Sequence, residues 1–299
     1  MVDEAYNAGT DAIKFQTYKS ENFLVSSSQY FDFFKDVELS FEEFKEIKDH
    51  ADNIGITFLS TPFDFESADY LKKIGVPAFK IASSDLTNLP LISHIGKMDL
   101  PMIISTGLAT MEEVKEAINV CNSLGNSKIA ILHCVADYPA NPEETNLSAI
   151  NILRTTFDVP VGYSDNGESL FVDEVAVSLG ANILEKHFTL DKNMKGPDHS
   201  FSIIPNDLKS LISKLRLIEK IKGNGEKIPN KSEIENKIAI RKSITCLKLI
   251  KSGEIFSSDN IALKRPGNGI EPKFWNKIID KKSNRDIQKD ELIKWEDVA

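Results

Sequence analysis

The stretch Asn182-Ile183-Leu184-Glu185-Lys186-His187-Phe188 has the apolar frame of a buried β-strand but carries ionisable groups within it. Because side chains alternate across a strand, Glu185 and His187 lie on the same face as Ile183. A strand buried on both faces normally supplies apolar residues to both. A buried carboxylate and a buried imidazole are costly unless they are paired, bound to a metal or used in chemistry. The stretch therefore predicts one wall of a polar centre inside a parallel sheet.

The chain from residue 11 to residue 190 repeats one unit: a short apolar strand, a polar loop and an amphipathic helix. The clearest helix follows Thr110, which forms a capping box with Glu113. Alternating strands and helices predict an α/β protein with a covered parallel sheet. The predicted strands are Ala12–Thr17, Ile56–Ser60, Ala78–Ala82, Met102–Thr106, Ile129–Cys134, Val159–Tyr163 and Ile183–Phe188.

Seven strands are one short of a closed (β/α)8 TIM barrel. The chain opens on Asp3-Glu4-Ala5-Tyr6-Asn7-Ala8-Gly9, which has the pattern of a helix end. We therefore expect a TIM barrel whose first strand is missing from the sequence. An open, doubly wound sheet is the alternative.

Composition changes twice along the chain and predicts three segments. Residues 1–222 form the barrel domain, and residues 223–241, rich in Gly, Lys, Asn and Glu, form a linker. Residues 242–299 are predicted to form a small, mainly β domain. In it, Ser243–Ile250 is a strand candidate and Arg265-Pro266-Gly267-Asn268-Gly269 is a turn-rich loop.

Charge and composition narrow the functional class. A net charge of −9 argues against a general nucleic-acid binder, although a local basic pocket can still hold an anion. No apolar run approaches the roughly 20 residues of a membrane helix. The start, Met1-Val2-Asp3-Glu4, lacks the features of a signal peptide. Three scattered cysteines are typical of reduced thiols, so we expect a cytoplasmic protein without a membrane or nucleic-acid partner.

Two strands carry lysines that are expected to point into the barrel. Lys14 and Gln16 alternate with Ile13 and Phe15, and Lys80 alternates with its apolar neighbours in the same way. Two lysines near strand ends make a focused positive site that suits a phosphate or a carboxylate. Hydroxyl groups beyond the strands, Ser83, Ser84 and Ser105, are candidate hydrogen-bond donors to the same anion.

Asn166 and His187 follow successive strands and are predicted to share a metal ion. Imidazole is a common ligand for Mn, Fe and Zn, and an amide oxygen suits Mg or Mn. His133 also ends a strand, but its role is left open. The polar loop around Asp198 follows the His187 strand, so Asp198 and His199 are candidate contacts to substrate hydroxyls.

Taken together, these pieces resemble the sialic acid synthase family, whose members condense phosphoenolpyruvate with an acylamino sugar. The matching motifs are Lys14-Phe15-Gln16-Thr17, Ser60-Thr61-Pro62-Phe63-Asp64, Phe79-Lys80-Ile81-Ala82-Ser83, Ser105-Thr106-Gly107, Leu132-His133-Cys134, Tyr138-Pro139, Gly162-Tyr163-Ser164-Asp165, Glu185-Lys186-His187-Phe188-Thr189 and Gly196-Pro197-Asp198. Lys264-Arg265-Pro266-Gly267-Asn268-Gly269 is similar to the family's C-terminal antifreeze-like (SAF) domain. The resemblance covers nearly the whole chain.

The resemblance implies a TIM barrel followed by an SAF domain, usually in a domain-swapped homodimer. It implies that phosphoenolpyruvate is held by Lys14, Lys80, Ser83, Ser105 and Ser164. It implies that the acylamino sugar contacts Gln16, Asp85, Tyr138 and Asp198, and that Arg265 reaches the sugar from the other subunit. A divalent metal, Mn²⁺ or Mg²⁺, would bind His187. Lys14, Gln16, Lys80 and His187 would be the catalytic residues.

The sequence departs from the family pattern at two places. Asn166 stands where the family has a second histidine ligand, so a harder and weaker metal site is expected. The family's first strand, with a catalytic glutamate, has no match in this chain. A degenerate member that binds a sugar or a partner without catalysis is therefore the alternative. A sugar-phosphate condensing synthase is a third possibility, but such enzymes lack the Arg265-Pro266-Gly267-Asn268-Gly269 loop.

Overall fold

The computed structural model describes residues 1–299. The chain forms two compact units, Met1–Gly223 and Asn224–Ala299. The first unit contains one parallel sheet whose strands follow chain order. Its strands are β1 (Ala12–Thr17), β2 (Thr57–Pro62), β3 (Phe79–Ile81), β4 (Met102–Ser105), β5 (Ile129–Cys134), β6 (Val161–Asp165) and β7 (Leu184–Lys186). All seven predicted strands are present: β1 and β5 have the predicted bounds, and the other five differ from them by at most two residues at either end.

Ten helices belong to this unit, and most of them pack their apolar residues against the sheet. They are α1 (Val2–Ala8), α2 (Ser20–Phe23), α3 (Phe31–Asp36), α4 (Phe41–Ile54), α5 (Phe65–Ile74), α6 (Leu89–Gly96), α7 (Met111–Ser123), α8 (Ala149–Thr156), α9 (Leu170–Ser178) and α10 (Pro205–Lys222). The capping box that begins α7 is present: Glu113 N donates to Thr110 Oγ1, and Thr110 N donates to Glu113 Oε2. The apolar stripe of α7 is buried in the main core, which lies between the sheet and the helices.

The sheet is curled. β1 and β7 are its two edge strands, yet Lys14 on β1 lies 3.9 Å from Glu185 on β7. Helices α1 and α10, which lie beside these two edges, pack against each other. The curled, chain-ordered sheet confirms a TIM-barrel type of fold, and the alternative of an open, doubly wound sheet is wrong. The inner face of the curl gathers the side chains that alternate with the core residues.

The prediction that residues 183–188 form a strand buried on both faces is wrong. β7 contains only three residues, hydrogen-bonds to β6 alone, and leaves 24% of the Glu185 side chain exposed. His187 and Phe188 follow the strand, and Phe188 bridges to Ile203. An edge strand that borders a polar centre on its inner face cannot be covered on both sides.

The second unit begins with α11 (Lys231–Ile240), so the predicted linker, residues 223–241, contains a helix. Asn230 and Glu233 form a capping box at its start, which explains why this polar segment is helical. β8 (Ser243–Cys246) and β9 (Ile261–Lys264) pair antiparallel, followed by α12 (Trp275–Ile278). The predicted strand Ser243–Ile250 thus ends at Cys246. Isoleucines and Phe256 form a separate core. No helix in either unit is long and apolar enough to span a membrane.

Candidate active site

A carboxylate flanked by two ammonium groups lies on the inner face of the curled sheet. Glu185 Oε1 is 3.9 Å from Lys14 Nζ and 3.7 Å from Lys80 Nζ, and it accepts a hydrogen bond of 3.1 Å from Ser164 Oγ. These residues come from β1, β3, β6 and β7. Strand alternation brings them to one face, as the sequence predicts for both lysines. The group of Lys14, Lys80, Ser105, Ser164 and Glu185 is called the anion centre below.

Lys80 is the more enclosed of the two lysines of the anion centre, with 3% of its side chain exposed against 23% for Lys14. Its ammonium donates to Ser105 Oγ at 2.6 Å and to the Ile81 carbonyl at 2.9 Å. Burial lowers the pKa of Lys80 to about 8, although the Glu185 carboxylate opposes this shift. Lys80 is therefore mostly protonated at pH 7.

Glu185 is ionised in this setting. Burial alone would raise the pKa of Glu185, but Lys14 and Lys80 hold it below its usual range. With two ammonium groups and one carboxylate, the anion centre has a formal charge of +1. A net positive centre enclosed by low-dielectric walls attracts a small anion.

The loops after β3 and β4 approach each other closely beside the anion centre. Gly107 N donates to Ser83 Oγ at 3.0 Å. A Cβ at position 107 would lie 2.7 Å from Ser83 Oγ, so only glycine allows this approach. Ser83 lies in the 3₁₀ turn Ser83–Asp85, directly after β3. The two loops thus place hydroxyl and amide groups at the C-terminal ends of adjacent strands, where barrel enzymes bind their ligands.

Cys134 also lies beside the anion centre, although no role was predicted for it from the sequence. It ends β5, opposite Ser164 in the ladder, and its side chain is buried. Burial raises the pKa of the Cys134 thiol, while hydrogen bonds with Ser83 and Ser164 oppose that increase. Strand alternation could have identified it, because Cys134 lies on the face opposite Ile129 and Ile131.

An aromatic wall surrounds His187 at the rim. The His187 ring packs edge-to-face on Tyr138 at 5.9 Å and on Phe201 at 5.4 Å, between ring centroids. Its Nδ1 lies 3.7 Å from Asp198 Oδ2. Burial lowers the pKa of His187, and Asp198 partly offsets this effect. A neutral imidazole, the form that binds metals, is therefore favoured at neutral pH. Phe201 was not predicted, since an aromatic residue in a polar loop carries no periodic signal.

The rim around His187 offers few ligands to a divalent cation. Asn166 Nδ2 donates to the Val135 carbonyl at 2.7 Å and approaches Cys134 Sγ at 3.4 Å, and no hydrogen bond joins Asn166 to His187. The structure contains no group of three His, Cys, Asp or Glu side chains placed to hold a metal. His187 and Asp198 form a pair of donors. Two protein ligands completed by substrate and water fit Mg²⁺ or Mn²⁺ better than Zn²⁺.

The remaining predicted residues lie in several places. Gln16 is exposed at the end of β1, whereas Asp85 accepts hydrogen bonds from Asn88 and Ser84. Burial raises the pKa of Asp85. Arg265 belongs to the second unit, where it is exposed. Nε2 of His133, whose role was left open, lies 2.7 Å from the Thr145 carbonyl. That contact is typical of a structural histidine.

These features define a curled β/α protein with a lysine-rich polar centre on the inner face of its parallel strands. Residues 1–227 match the NeuB family, and residues 241–299 match the SAF domain. The chain belongs to the NeuB family and carries a C-terminal SAF domain.

Named relatives resemble the chain over most of its length. An uncharacterised protein of Methanocaldococcus jannaschii is 47% identical, covering 100% of this chain and 88% of its own. The N,N'-diacetyllegionaminic acid synthase of Campylobacter jejuni is 40% identical to this chain. The match covers 98% of this chain and 93% of the synthase. The crystal structure of an N-acetylneuraminic acid synthetase from Leptospira borgpetersenii, in complex with citrate, has a TM-score of 0.76 and 37% sequence identity to this chain. The match covers 79% of this chain and 82% of the synthetase.

Proposed function

We propose that the protein condenses phosphoenolpyruvate with an N-acylated amino sugar and water, giving a nonulosonic acid and phosphate. The sugar is N-acetylmannosamine or a 2,4-diacetamido analogue. The observation that carries the proposal is the anion centre, in which Lys14 and Lys80 flank Glu185. Two relatives support it: one is named a legionaminic acid synthase, and another was crystallised with citrate, a small polycarboxylate.

In this proposal the anion centre holds phosphoenolpyruvate. Lys14 and Lys80 neutralise its phosphate and carboxylate, and hydroxyl groups of Ser83, Ser105 and Ser164 donate hydrogen bonds to them. Ser105 already accepts a hydrogen bond from the Lys80 ammonium, so its own proton is free to donate. The formal charge of +1 on the anion centre attracts an anionic ligand.

The carbon–carbon bond forms between the enol carbon of phosphoenolpyruvate and the aldehyde carbon of the open-chain sugar, and the aldehyde oxygen takes a proton. The adjacent carbon becomes oxocarbenium-like and takes water. The carbon–oxygen bond to phosphate then breaks, the electron pair leaves with phosphate, and a ketone forms. The two protons of the water end on the former aldehyde oxygen and on phosphate. Glu185, ionised beside the lysines, orients this water and relays its proton.

The sugar is assigned to the rim formed by Tyr138, Asp198 and His187, with Gln16 and Asp85 as further contacts. His187 and Asp198 would hold a divalent Mn²⁺ or Mg²⁺, with Asn166 able to add its amide oxygen. A bound metal would supply Lewis-acid polarisation of the sugar aldehyde. The rings of Tyr138 and Phe201 pack against the His187 ring and limit its orientation at this rim.

We also propose a domain-swapped homodimer in which Arg265 serves the sugar site of the second copy. Subunit mixing tests it. Arg265→Ala and Lys80→Met are each expected to be inactive. In a swapped mixed dimer, one site combines an intact Lys80 with an intact Arg265, so mixing restores activity. If mixing restores none, although mixed dimers form, Arg265 does not act across subunits.

The reaction is tested by mass spectrometry. The protein is incubated with phosphoenolpyruvate, Mn²⁺ or Mg²⁺, and each candidate sugar in turn. The expected result is one nonulosonic acid and one phosphate for each phosphoenolpyruvate consumed. If no sugar yields either product, the proposal is wrong.

A non-catalytic sugar-binding member is the second candidate. It is favoured by the Asn166 side chain, whose amide is engaged with the end of β5, and by the lack of a three-ligand metal cluster. Calorimetry distinguishes the two functions. Sugar binding that needs neither phosphoenolpyruvate nor metal, without turnover, would favour the second candidate.

A further inference from the structure

Three charged side chains are enclosed on the side of β6 and β7 that faces away from the anion centre. They are Asp165 on β6, Lys186 on β7 and Asp173 on α9, with exposed fractions of 1%, 5% and 0%. Lys186 contacts the Asp165 carboxylate directly and lies 3.2 Å from Asp173 Oδ2. Its ammonium also donates to the Gly167 carbonyl at 2.9 Å. No step of the proposed reaction uses these groups.

The cluster is hard to explain as a source of stability. Taking charges out of water costs several kcal/mol per ion, and packed apolar residues often replace such groups without loss. Asp173 is especially poorly compensated, because neither of its carboxylate oxygens accepts a well-oriented hydrogen bond. Burial raises the pKa of Asp173 to about 8, although Lys186 opposes the shift. Asp165, which also accepts hydrogen bonds from Gly167 N and the Tyr163 hydroxyl, is therefore the better engaged carboxylate partner of Lys186.

The Asp165–Lys186 ion pair connects β6 to β7, the strands that carry Ser164 and Glu185 of the anion centre. The ladder pairs Ser164 with Glu185 and Asp165 with Lys186, so each ion-pair member is adjacent in sequence to a residue of the anion centre. β7 is a three-residue edge strand with backbone hydrogen bonds to β6 only. Its other contacts are the packing of Leu184 against the apolar cores and the contacts of Glu185 with the two lysines.

The pair also fixes the turn after β6. Asp165 Oδ1 accepts hydrogen bonds from Gly167 N at 2.9 Å and from the Tyr163 hydroxyl at 3.2 Å. Lys186 holds the carbonyl of the same Gly167. The backbone on both sides of Asn166 is therefore tied to β7 through one ion pair.

We propose that Asp165 and Lys186 are positioning residues that hold β7 against β6, so that Glu185 meets Ser164 and the lysines. The inference deepens the proposed function and rests on it for the kinetic part. A second consequence concerns Asp173. The Asp173 carboxyl makes fewer hydrogen bonds than the Asp165 carboxyl. Neutralising Asp173 therefore leaves β7 in place, whereas neutralising Asp165 releases β7 from β6.

The first test is backbone hydrogen exchange, which needs no turnover. Lys186→Met and Asp165→Asn are expected to speed exchange of the amides in residues 183–188 by at least about tenfold. Asp173→Asn and the control Lys192→Met, a half-exposed lysine on the following loop, are expected to change it less than about threefold. If Lys186→Met does not fold, Asp165→Asn, which keeps the shape of the side chain and one acceptor oxygen, carries the comparison.

The second test separates positioning from general destabilisation. In Lys186→Met we expect kcat to fall at least about tenfold while KM for phosphoenolpyruvate changes less than about threefold, because Lys14, Lys80 and Ser105 lie on other strands. Lys186→Arg should recover part of kcat. Wild-type exchange in both Lys186→Met and Asp165→Asn would overturn the proposal, as would equal effects of Asp165→Asn and Asp173→Asn. Absence of turnover in the wild-type protein would instead reject the proposed function, and exchange would still decide this proposal.

Discussion

Replacing Lys80 with methionine removes the enclosed ammonium of the anion centre while keeping the length and apolar character of the side chain. The Lys80 ammonium lies 2.6 Å from Ser105 Oγ and 3.7 Å from Glu185 Oε1. In the variant, Glu185 retains only Lys14 as a cationic neighbour, at 3.9 Å. The formal charge of the centre falls from +1 to zero, so an anionic ligand loses most of its electrostatic attraction.

The size of the effect follows from distance and dielectric. Two unit charges about 4 Å apart, at an effective dielectric constant near 20, interact by about 4 kcal/mol. Loss of one partner of a buried, hydrogen-bonded charge pair costs about 2–5 kcal/mol in binding. We therefore expect Lys80→Met to weaken phosphoenolpyruvate binding by about 2–4 kcal/mol, a factor of about 30 to 1,000 in Kd.

Isothermal titration calorimetry with phosphoenolpyruvate measures this change directly and requires no turnover. Lys128→Met is the matched control, because Lys128 is half exposed and pairs only with Asp99 on the surface. Its Kd should stay within about threefold of the wild-type value. Thermal unfolding monitors the fold of both variants. A Lys80→Met protein that folds normally and binds phosphoenolpyruvate as tightly as the wild type would refute the anion-centre interpretation.

Four further outcomes are expected. Glu185→Gln should bind phosphoenolpyruvate at least as tightly as the wild type, since a negative charge is removed, but lose about 10²-fold or more in kcat, measured by phosphate release. The affinity of the wild type for phosphoenolpyruvate should fall as pH rises above about 8, because Lys80 then loses its proton, and Lys80→Met should lack this dependence in calorimetry. Iodoacetamide should label Cys134 slowly at pH 7 and faster at higher pH, because burial raises the pKa of its thiol, and phosphoenolpyruvate should slow labelling in peptide mass spectra. Chelation by EDTA should abolish turnover, and His187→Ala should weaken Mn²⁺ binding in calorimetry by at least about tenfold, with Asp198→Asn weakening it less.

The lowered pKa of Lys80 also makes the free energy of unfolding depend on pH. Its pKa is lower in the folded protein, about 8, than the usual value of about 10.4 in an unfolded chain. Between these two values the unfolded chain binds more protons than the folded one. The contribution of Lys80 to the free energy of unfolding therefore rises with pH across this window.

Local patterns in the sequence were enough to predict most of the fold. The seven strands followed from apolar runs at regular spacing, and helix α7 followed from the Thr110 capping box and its apolar stripe. Helix α11 was missed, because its polar composition indicated a linker even though Asn230 and Glu233 carry a capping signal. The extent of β7 was overestimated, because burial at a sheet edge depends on the curl of the whole sheet.

The site was only partly visible in the sequence. Strand alternation predicted that Lys14 and Lys80 face inward, but the contact of both with Glu185 depends on strands far apart in the chain. The engagement of Asn166 with the end of β5 depends on the turn after β6, which alternation does not describe. Asp173 lies on a helix whose sequence gives no hint of Lys186.

The most direct test of the central claim is the reaction with phosphoenolpyruvate and the preferred acylamino sugar in water enriched in ¹⁸O, with phosphate analysed by mass spectrometry. If water attacks carbon in the anion centre, the phosphate keeps its original bridging oxygen. The account therefore predicts nonulosonic acid accompanied by unlabelled phosphate. Phosphate that carries ¹⁸O would show cleavage of the phosphorus–oxygen bond and would contradict the proposed reaction, and so would release of phosphate that does not depend on the sugar.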